Sequence, residues 1–244
     1  MQISGNKEMI FSGFSSDALA FLRALKRNNR REWFQPRKEK YETLIKDPML
    51  DLIHGINEEF ARFAPMYVRP PQKVAFRIYR DTRFSHDKTP YKTHIGAIFP
   101  RNTAVKYRGA CFYFHWTDKE LLVFGGTYAP ERDELLAYRT LMQEHYVELE
   151  EILRNNRLKR ALGGLQGEQL TRMPKGFPVG HPAEELLRHR QWYLEATLDI
   201  KLLTTRKLLP ELARHFERMA PFVEFLNRPF VRKPKPAKMA FMDF

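Results

Sequence analysis

The region from Val74 to Tyr128 constrains the fold most, because it predicts successive β-strands in a chain that otherwise carries helical patterns. Residues 74–84 alternate between polar and apolar, which is typical of a strand with one buried face. Further strands are predicted at 93–99, 110–116 and 121–128. The last two are separated by Thr117-Asp118-Lys119-Glu120, which suits a hairpin, so at least part of the sheet should be antiparallel.

Helical patterns lie on both sides of this region. Before it, Ser15–Asp17 can cap a first helix that ends near Asn28-Asn29, a second helix fits residues 37–46, and Asp47-Pro48 predicts the start of a third. After it, we predict helices at 130–155, from Pro182 to Arg190 and at 205–226, with short strands at 165–170 and 193–198. The sequence therefore predicts an α+β fold, with a mixed, largely antiparallel sheet flanked by helices and an N-terminal helical segment.

Length and composition predict one folded domain. The 244 residues are 43% hydrophobic and 13% aromatic, which is enough to fill a core. We assign residues 1–228 to a single α+β domain and residues 229–244 to a basic Pro/Lys-rich tail. The sequence has no apolar run of membrane-spanning length, and Met1–Phe11 lacks the apolar core of a secretory signal, so we expect a cytoplasmic protein with no membrane partner. Oligomeric state is left open.

Charge points to acidic partners. Lysine and arginine total 42 against 29 aspartate and glutamate, a formal net charge of +13 that favours anionic small molecules or nucleic acid. The excess is spread along the chain and includes the tail residues Arg228, Arg232, Lys233, Lys235 and Lys238. A single continuous binding stripe therefore does not follow from the charge.

A cluster with more cations than carboxylates lies between Val74 and Gly96. Five cations accompany only two carboxylates there: Arg77, Arg80, Arg83, Lys88 and Lys92 against Asp81 and Asp87. On a strand, Arg77 and Arg83 share a face with Asp81, which could orient both guanidinium groups toward a phosphate or carboxylate. The alternative is a salt-bridge network that closes the sheet edge, or a solvated charged face.

Arg80 differs from its neighbours, because alternation places it on the apolar face with Phe76 and Ile78. An unpaired guanidinium buried there would cost several kcal/mol, so we expect Arg80 to meet a carboxylate or backbone carbonyls, or to be rotated outward by a bulge. Asp87 is the candidate carboxylate, and a ligand-binding role for Arg80 stays open. If the site is catalytic, Asp81 or Asp87 is the expected proton carrier.

Two residues from a later loop are further candidates. Lys175 and His181 could complete the pocket, with His181 just before a predicted helix start at Pro182; the alternative is an ordinary loop with an exposed lysine.

For a metal, His86, Asp87 and His94 match no compact ligand motif, and the neighbouring cations would repel a divalent ion. Cys111 is the sole cysteine, and no nucleotide or dinucleotide fingerprint is present, so we predict neither a metal nor a cofactor.

Several motifs together resemble the domain of unknown function 2461 family. They are Asn28-Asn29, Glu32-Trp33-Phe34, Phe76–Asp81, Arg83-Phe84-Ser85, Asp87–Lys92, Gly125-Gly126, Pro174–Phe177 and His181-Pro182. The resemblance runs from about Phe14 to Leu226. It implies a single α+β domain of a bacterial and fungal family that has no assigned activity, and it supplies no mechanism.

Three functional hypotheses follow. The first is an Arg/Lys-rich pocket for a phosphate- or carboxylate-bearing ligand, in an enzyme or a binding protein. The second is nucleic-acid binding through the distributed basic surface and the tail. The third is a non-catalytic interaction scaffold, in which the central charges only hold strand to loop.

Overall fold

The computed structural model describes residues 11–102 and 108–231. Its sheet has four strands in the order β1 (Ile95–Pro100), β2 (Cys111–Trp116), β3 (Leu121–Thr127) and β4 (Trp192–Leu198). All three pairings within it are antiparallel. The amide of Thr117 donates to the carbonyl of Glu120 at 2.8 Å and closes the predicted hairpin. The α+β prediction is confirmed.

Helices precede and follow the first three strands. Their bounds are α1 Ser16–Arg27, α2 Arg31–Phe34, α3 Lys38–Tyr41, α4 Asp47–Phe63, α5 Pro71–Val74, α6 Arg132–Arg154, α7 Asn156–Leu162, α8 Glu184–Arg188 and α9 Leu208–Asn227. The hydroxyl of Ser15 accepts from the amide of Ala18 at 3.3 Å and caps α1 as predicted. The N-terminal helical segment is therefore confirmed, whereas α7 was missed by the sequence patterns.

The core lies between one face of the sheet and helices α4 and α9. Phe112 and Phe114 of β2 are fully buried on this face, and Phe60 of α4 places its ring 5.1 Å from that of Phe112. Gly125 of β3 permits close approach of α9, because a Cβ there would lie 2.8 Å from the Met219 sulfur. The Gly-Gly pair thus has a packing function.

The opposite face of the sheet carries a second set of side chains. Tyr113 and His115 of β2 alternate with the buried phenylalanines, and Phe124 of β3 pairs with Tyr113 across the ladder. The ring of Phe124 lies 5.1 Å from that of Tyr193 on β4. An aromatic row therefore crosses this face.

The predicted strand at 74–84 is wrong. Helix α5 ends at Val74, and the residues that follow form only isolated bridges, Ala75 with Ala97 and Tyr79 with Tyr91. The alternation of exposure is present around Ile78, which is buried between the exposed Arg77 and Tyr79, but it ends before Phe84, which is 95% exposed although it was predicted on the buried face. A regular ladder fails because the returning segment contains Pro90, which has no N–H to donate.

Three other predictions need correction. Residues 165–170 form isolated bridges from Gln166 and Gln169 instead of a strand. Helix α4 does begin at Asp47-Pro48 as predicted, but Asp47 does not cap it: its backbone is helical, and the π-helical turn Glu42–Lys46 leads directly into α4. The helix predicted from Pro182 begins only at Glu184 and is a little over one turn long.

The predicted tail, residues 229–244, lies outside the described residues from position 232 onward. Arg228, counted above among the tail cations, forms a salt bridge with Glu148 of α6. Within the described part of the chain, no helix has the length and apolar character needed to cross a membrane.

Candidate functional site

The candidate site is built on the irregular segment between α5 and β1. The amide of Phe76 donates to the carbonyl of Gly96 at 2.9 Å and holds the start of the segment against β1. Further along, the amide of Arg80 donates to the carbonyl of Pro90 and the amide of Lys92 to that of Ile78. Residues 75–94 therefore leave the sheet edge, turn and return, with backbone pairing only at isolated bridges. We call this segment the excursion.

This excursion and the end of α1 enclose a cleft of about 550 Å³, which we call the Lys92 cleft. It is lined by Lys26, Asn29, Arg80, Asp81, Asp87, Thr89, Tyr91, Lys92, Thr93 and His94. Of the predicted site residues, the structure thus brings together Arg80, Asp81, Asp87 and Lys92. Arg77 lines a neighbouring cavity instead.

Asn29 joins the excursion to the N-terminal helices. Its side-chain amide donates to the carbonyl of Tyr91 at 2.8 Å, and its side-chain oxygen accepts from the amide of Tyr91 at 3.0 Å. The side chain thus pairs with both polar groups of one residue, as a neighbouring strand would. Sequence reasoning treated Asn29 only as a helix end and part of a motif, although an asparagine beyond a helix terminus can serve both purposes.

Arg80 is matched by Asp87, the carboxylate that the sequence offered as its candidate partner. Its guanidinium donates to the carboxylate of Asp87 and to the hydroxyl of Thr89, and the amide of Thr89 donates to the same carboxylate at 2.9 Å. These hydrogen bonds lower the pKa of Asp87 to about 2. Asp87 is therefore ionised at neutral pH and orients Arg80.

Asp81 is matched in turn by Arg83. The Nε and Nη2 atoms of Arg83 donate to the two carboxylate oxygens at 3.0 and 2.6 Å, a bidentate pair that lies largely in solvent. Hydrogen bonding from Arg83 lowers the pKa of Asp81 to about 2. The prediction that Asp81 orients Arg77 as well is wrong for the described structure, in which its hydrogen bonds are with Arg83 alone.

The two lysines of the excursion have different surroundings. The ammonium of Lys88 is exposed and donates to the carbonyl of Thr82 at 3.0 Å. The ammonium of Lys92 is half-buried and lies 4.5 Å from the ring centroid of Phe76, with no carboxylate among the described residues as its partner. Burial, followed by repulsion from Arg77, lowers the pKa of Lys92.

His94 lies beside this lysine at the floor of the cleft. Its ring is 5.8 Å from that of His115 on β2. Burial lowers the pKa of His94, and repulsion from His115, Lys92 and Arg80 lowers it further. The imidazole is therefore neutral at pH 7 and able to accept a proton or a hydrogen bond.

A second cavity of about 310 Å³, which we call the aromatic cavity, adjoins the Lys92 cleft. Phe34 of α2 lines it and stacks on Tyr91 at 4.1 Å. Phe76 and Tyr79 line it as well, next to Arg77. Since Tyr91 and Lys92 line the first cleft and contact Phe34 and Phe76, the two cavities share a wall.

The later loop lies elsewhere. The Nδ1 atom of His181 accepts from the amide of Ala183 at 3.0 Å, and its ring is 5.7 Å from Tyr146 of α6. Lys175 is exposed in the preceding turn. Neither residue lines the two cavities. Across residues 11–102 and 108–231, no group of three or more His, Cys, Asp or Glu side chains is placed to hold a metal ion.

Comparison with known families gives one result. The family model of the conserved hypothetical protein DUF2461 matches residues 17–225. The chain belongs to the DUF2461 family. Comparison with curated proteins and with solved structures finds no match. The DUF2461 match contains both cavities, whereas the predicted tail lies beyond it.

Proposed function

We propose that the Lys92 cleft binds a small ligand that carries a phosphate or carboxylate group. The observation that carries this proposal is the half-buried ammonium of Lys92, a residue that lines the cleft, forms no salt bridge among the described residues and is repelled by a second cation, Arg77. Burying such a charge is unfavourable unless an anion offsets it. An acidic ligand supplies that anion.

Arg80 is the second contact in this proposal. Its guanidinium is oriented by Asp87 and Thr89 and lines the same cleft as Lys92. Arg83 and Lys88 already bind groups of the protein and serve to shape the excursion. The ligand is thus held by one oriented guanidinium and one ammonium, with the side chain of Thr93 and the neutral His94 at its edge.

If the site is catalytic, His94 is a better proton carrier than either aspartate. Asp81 and Asp87, with pKa values near 2, are too weakly basic to accept a proton at neutral pH. His94 is neutral there and lines the cleft. We therefore assign the two aspartates to holding Arg83 and Arg80 in place.

The test compares two variants that remove the same charge. Lys92→Met retains an apolar side chain over Phe76 but loses the ammonium, and Lys88→Met is the control outside the cleft. We expect inorganic phosphate or members of a phosphometabolite and dicarboxylate panel to raise the Tm of the wild type and of Lys88→Met, but not that of Lys92→Met. Equal shifts in all three proteins, or no shift with any anion, would count against the proposal.

A second candidate function is the binding of single-stranded nucleic acid, favoured by the aromatic row on the outer face of the sheet. Tyr128 is 63% exposed, and its ring lies 5.9 Å from that of the half-buried Tyr193. Such rings can stack on bases, and the net charge of +13 would attract the backbone. Glu195 on the same face would repel it, which places this function second.

This second function predicts that an oligonucleotide binds with an affinity that falls steeply with salt. Binding should also weaken in a Tyr193→Ala variant and after removal of residues 229–244. An oligonucleotide affinity that neither change affects would exclude it.

A further inference from the structure

We infer that the ligand of the Lys92 cleft carries an aromatic or other planar apolar group next to its acidic group, and that this group occupies the aromatic cavity. This inference rests on the proposed function, because it extends the same site. It identifies the ligand class as aromatic or heteroaromatic phosphates and carboxylates.

The first step is the position of the cation relative to the cavity. The Lys92 ammonium lies 4.5 Å from the centroid of the Phe76 ring, and Phe76 lines the aromatic cavity. Arg77 lines the same cavity and lies close enough to lower the pKa of Lys92. An acidic group bound between Lys92 and Arg77 would therefore leave the remainder of its molecule beside Phe76 and the aromatic cavity.

The second step is the size and lining of that cavity. Its volume of about 310 Å³ exceeds the ~150 Å³ of a cavity that holds benzene. Its lining includes the aromatic residues Phe34, Tyr41, Phe76 and Tyr79. Phe34 is fully buried and Tyr41 is nearly so, which leaves Phe76 and Tyr79 as the rings that an entering ring can contact. Rings arranged in this way contact another ring by edge-to-face or offset stacking.

The third step is the exposure of the lining. Tyr79 is 49% exposed, although its ring lies 6.4 Å from Phe34 and 5.5 Å from Tyr91. A half-exposed tyrosine at the rim of an apolar cavity gains burial when a ring enters. Lys38, Glu42 and Lys46 also line the cavity, and Lys46 forms a salt bridge with Glu42 at 3.5 Å, so Lys38 and Arg77 leave the lining with a net positive charge.

The experiment compares inorganic phosphate with phenyl phosphate on the full chain, by calorimetry at constant ionic strength. We expect phenyl phosphate to bind roughly ten- to a hundredfold more tightly, because its ring is buried. Gln72→Trp fills the cavity from an exposed position on its lining, and Tyr79→Ala removes part of the lining. Both should abolish the advantage of phenyl phosphate while leaving phosphate affinity unchanged, and the Tm of each free variant verifies that it is folded.

Equal affinities for phosphate and phenyl phosphate in the wild type would overturn this inference and leave the proposed function standing. A phenyl advantage that survives both substitutions would also overturn it, because the ring would then bind elsewhere. Absence of binding by both compounds would overturn the proposed function together with the inference.

Discussion

At the scale of single residues, Asn29 connects the end of α1 to the backbone of Tyr91 on the other side of the cleft. Its amide satisfies both backbone groups of Tyr91, so Asn29→Ala leaves a partly buried N–H and C=O without partners. We expect the free energy of unfolding to fall by about 1–3 kcal/mol. Urea denaturation measures this loss. The control is Asn28→Ala, whose side chain donates only to Ala24 of its own helix; an equal or larger loss in the control would contradict the role of Asn29.

Asp87 gives a prediction for pH dependence. Its folded-state pKa of about 2 lies below the ordinary value of 3.8, so its pairing stabilises the fold above pH 3.8, and this contribution is lost as the pH falls toward 2. In an Arg80→Met variant the pKa of Asp87 should rise toward 3.8, as read from its carboxyl NMR signal. The pKa of Asp81 should stay near 2, because its partner is Arg83. Titration of Asp87 near 3.8 in the wild type would refute the pairing.

At the scale of elements, the contact between β3 and β4 depends on Gly126. Its φ is +140°, and an added Cβ would lie 2.3 Å from the carbonyl oxygen of Trp192. Gly126→Ala should therefore lower the free energy of unfolding by roughly 2–4 kcal/mol through backbone strain and overpacking. Gly164→Ala is the control, since nothing lies within 4 Å of its added Cβ. Thermal unfolding that affects both variants equally would disprove this account.

The segment 74–92 shows what an element-level pattern can and cannot predict. Alternation correctly predicted that Ile78 is buried and that Arg77 and Tyr79 are exposed, because any extended backbone alternates its side chains. Alternation alone could not distinguish a regular strand from an isolated extended segment, because a strand also needs a partner with free N–H groups. Here the partner contains Pro90 and is held by Asn29, which is 62 residues away from Tyr91 in sequence.

At the scale of the whole molecule, Asn227 links the end of α9 to the sheet. Its buried side chain donates to the hydroxyl of Tyr67 at 2.8 Å and to the carbonyl of Ala110 at 2.9 Å, and accepts from the amide of Ala110 at 3.0 Å. Asn227→Leu should lower the free energy of unfolding by about 3 kcal/mol or more. Asn156→Leu, at an exposed position, should change it by less than about 0.5 kcal/mol. Similar losses in both variants, measured by urea denaturation, would contradict this.

The candidate site was predictable in composition but not in geometry. Local sequence placed four of its charged residues within thirteen positions, and alternation indicated that Arg80 would need a partner, for which Asp87 was one candidate. Which of the remaining charges are paired could not be predicted, because pairing depends on which side chains reach one another in the fold. Arg83 is neutralised by Asp81, whereas Lys92 is not neutralised among the described residues. The salt-bridge alternative therefore describes Arg80 and Arg83, and the ligand hypothesis depends on Lys92.

The pKa of the Lys92 ammonium tests this account most directly. It can be followed by NMR of the side-chain Cε, with and without inorganic phosphate at equal ionic strength. The account predicts a pKa below the ordinary 10.5 in the free protein and an increase when phosphate binds, with no matching change at Lys88. A Lys92 pKa that phosphate leaves unchanged, or that rises equally with Lys88, would contradict it.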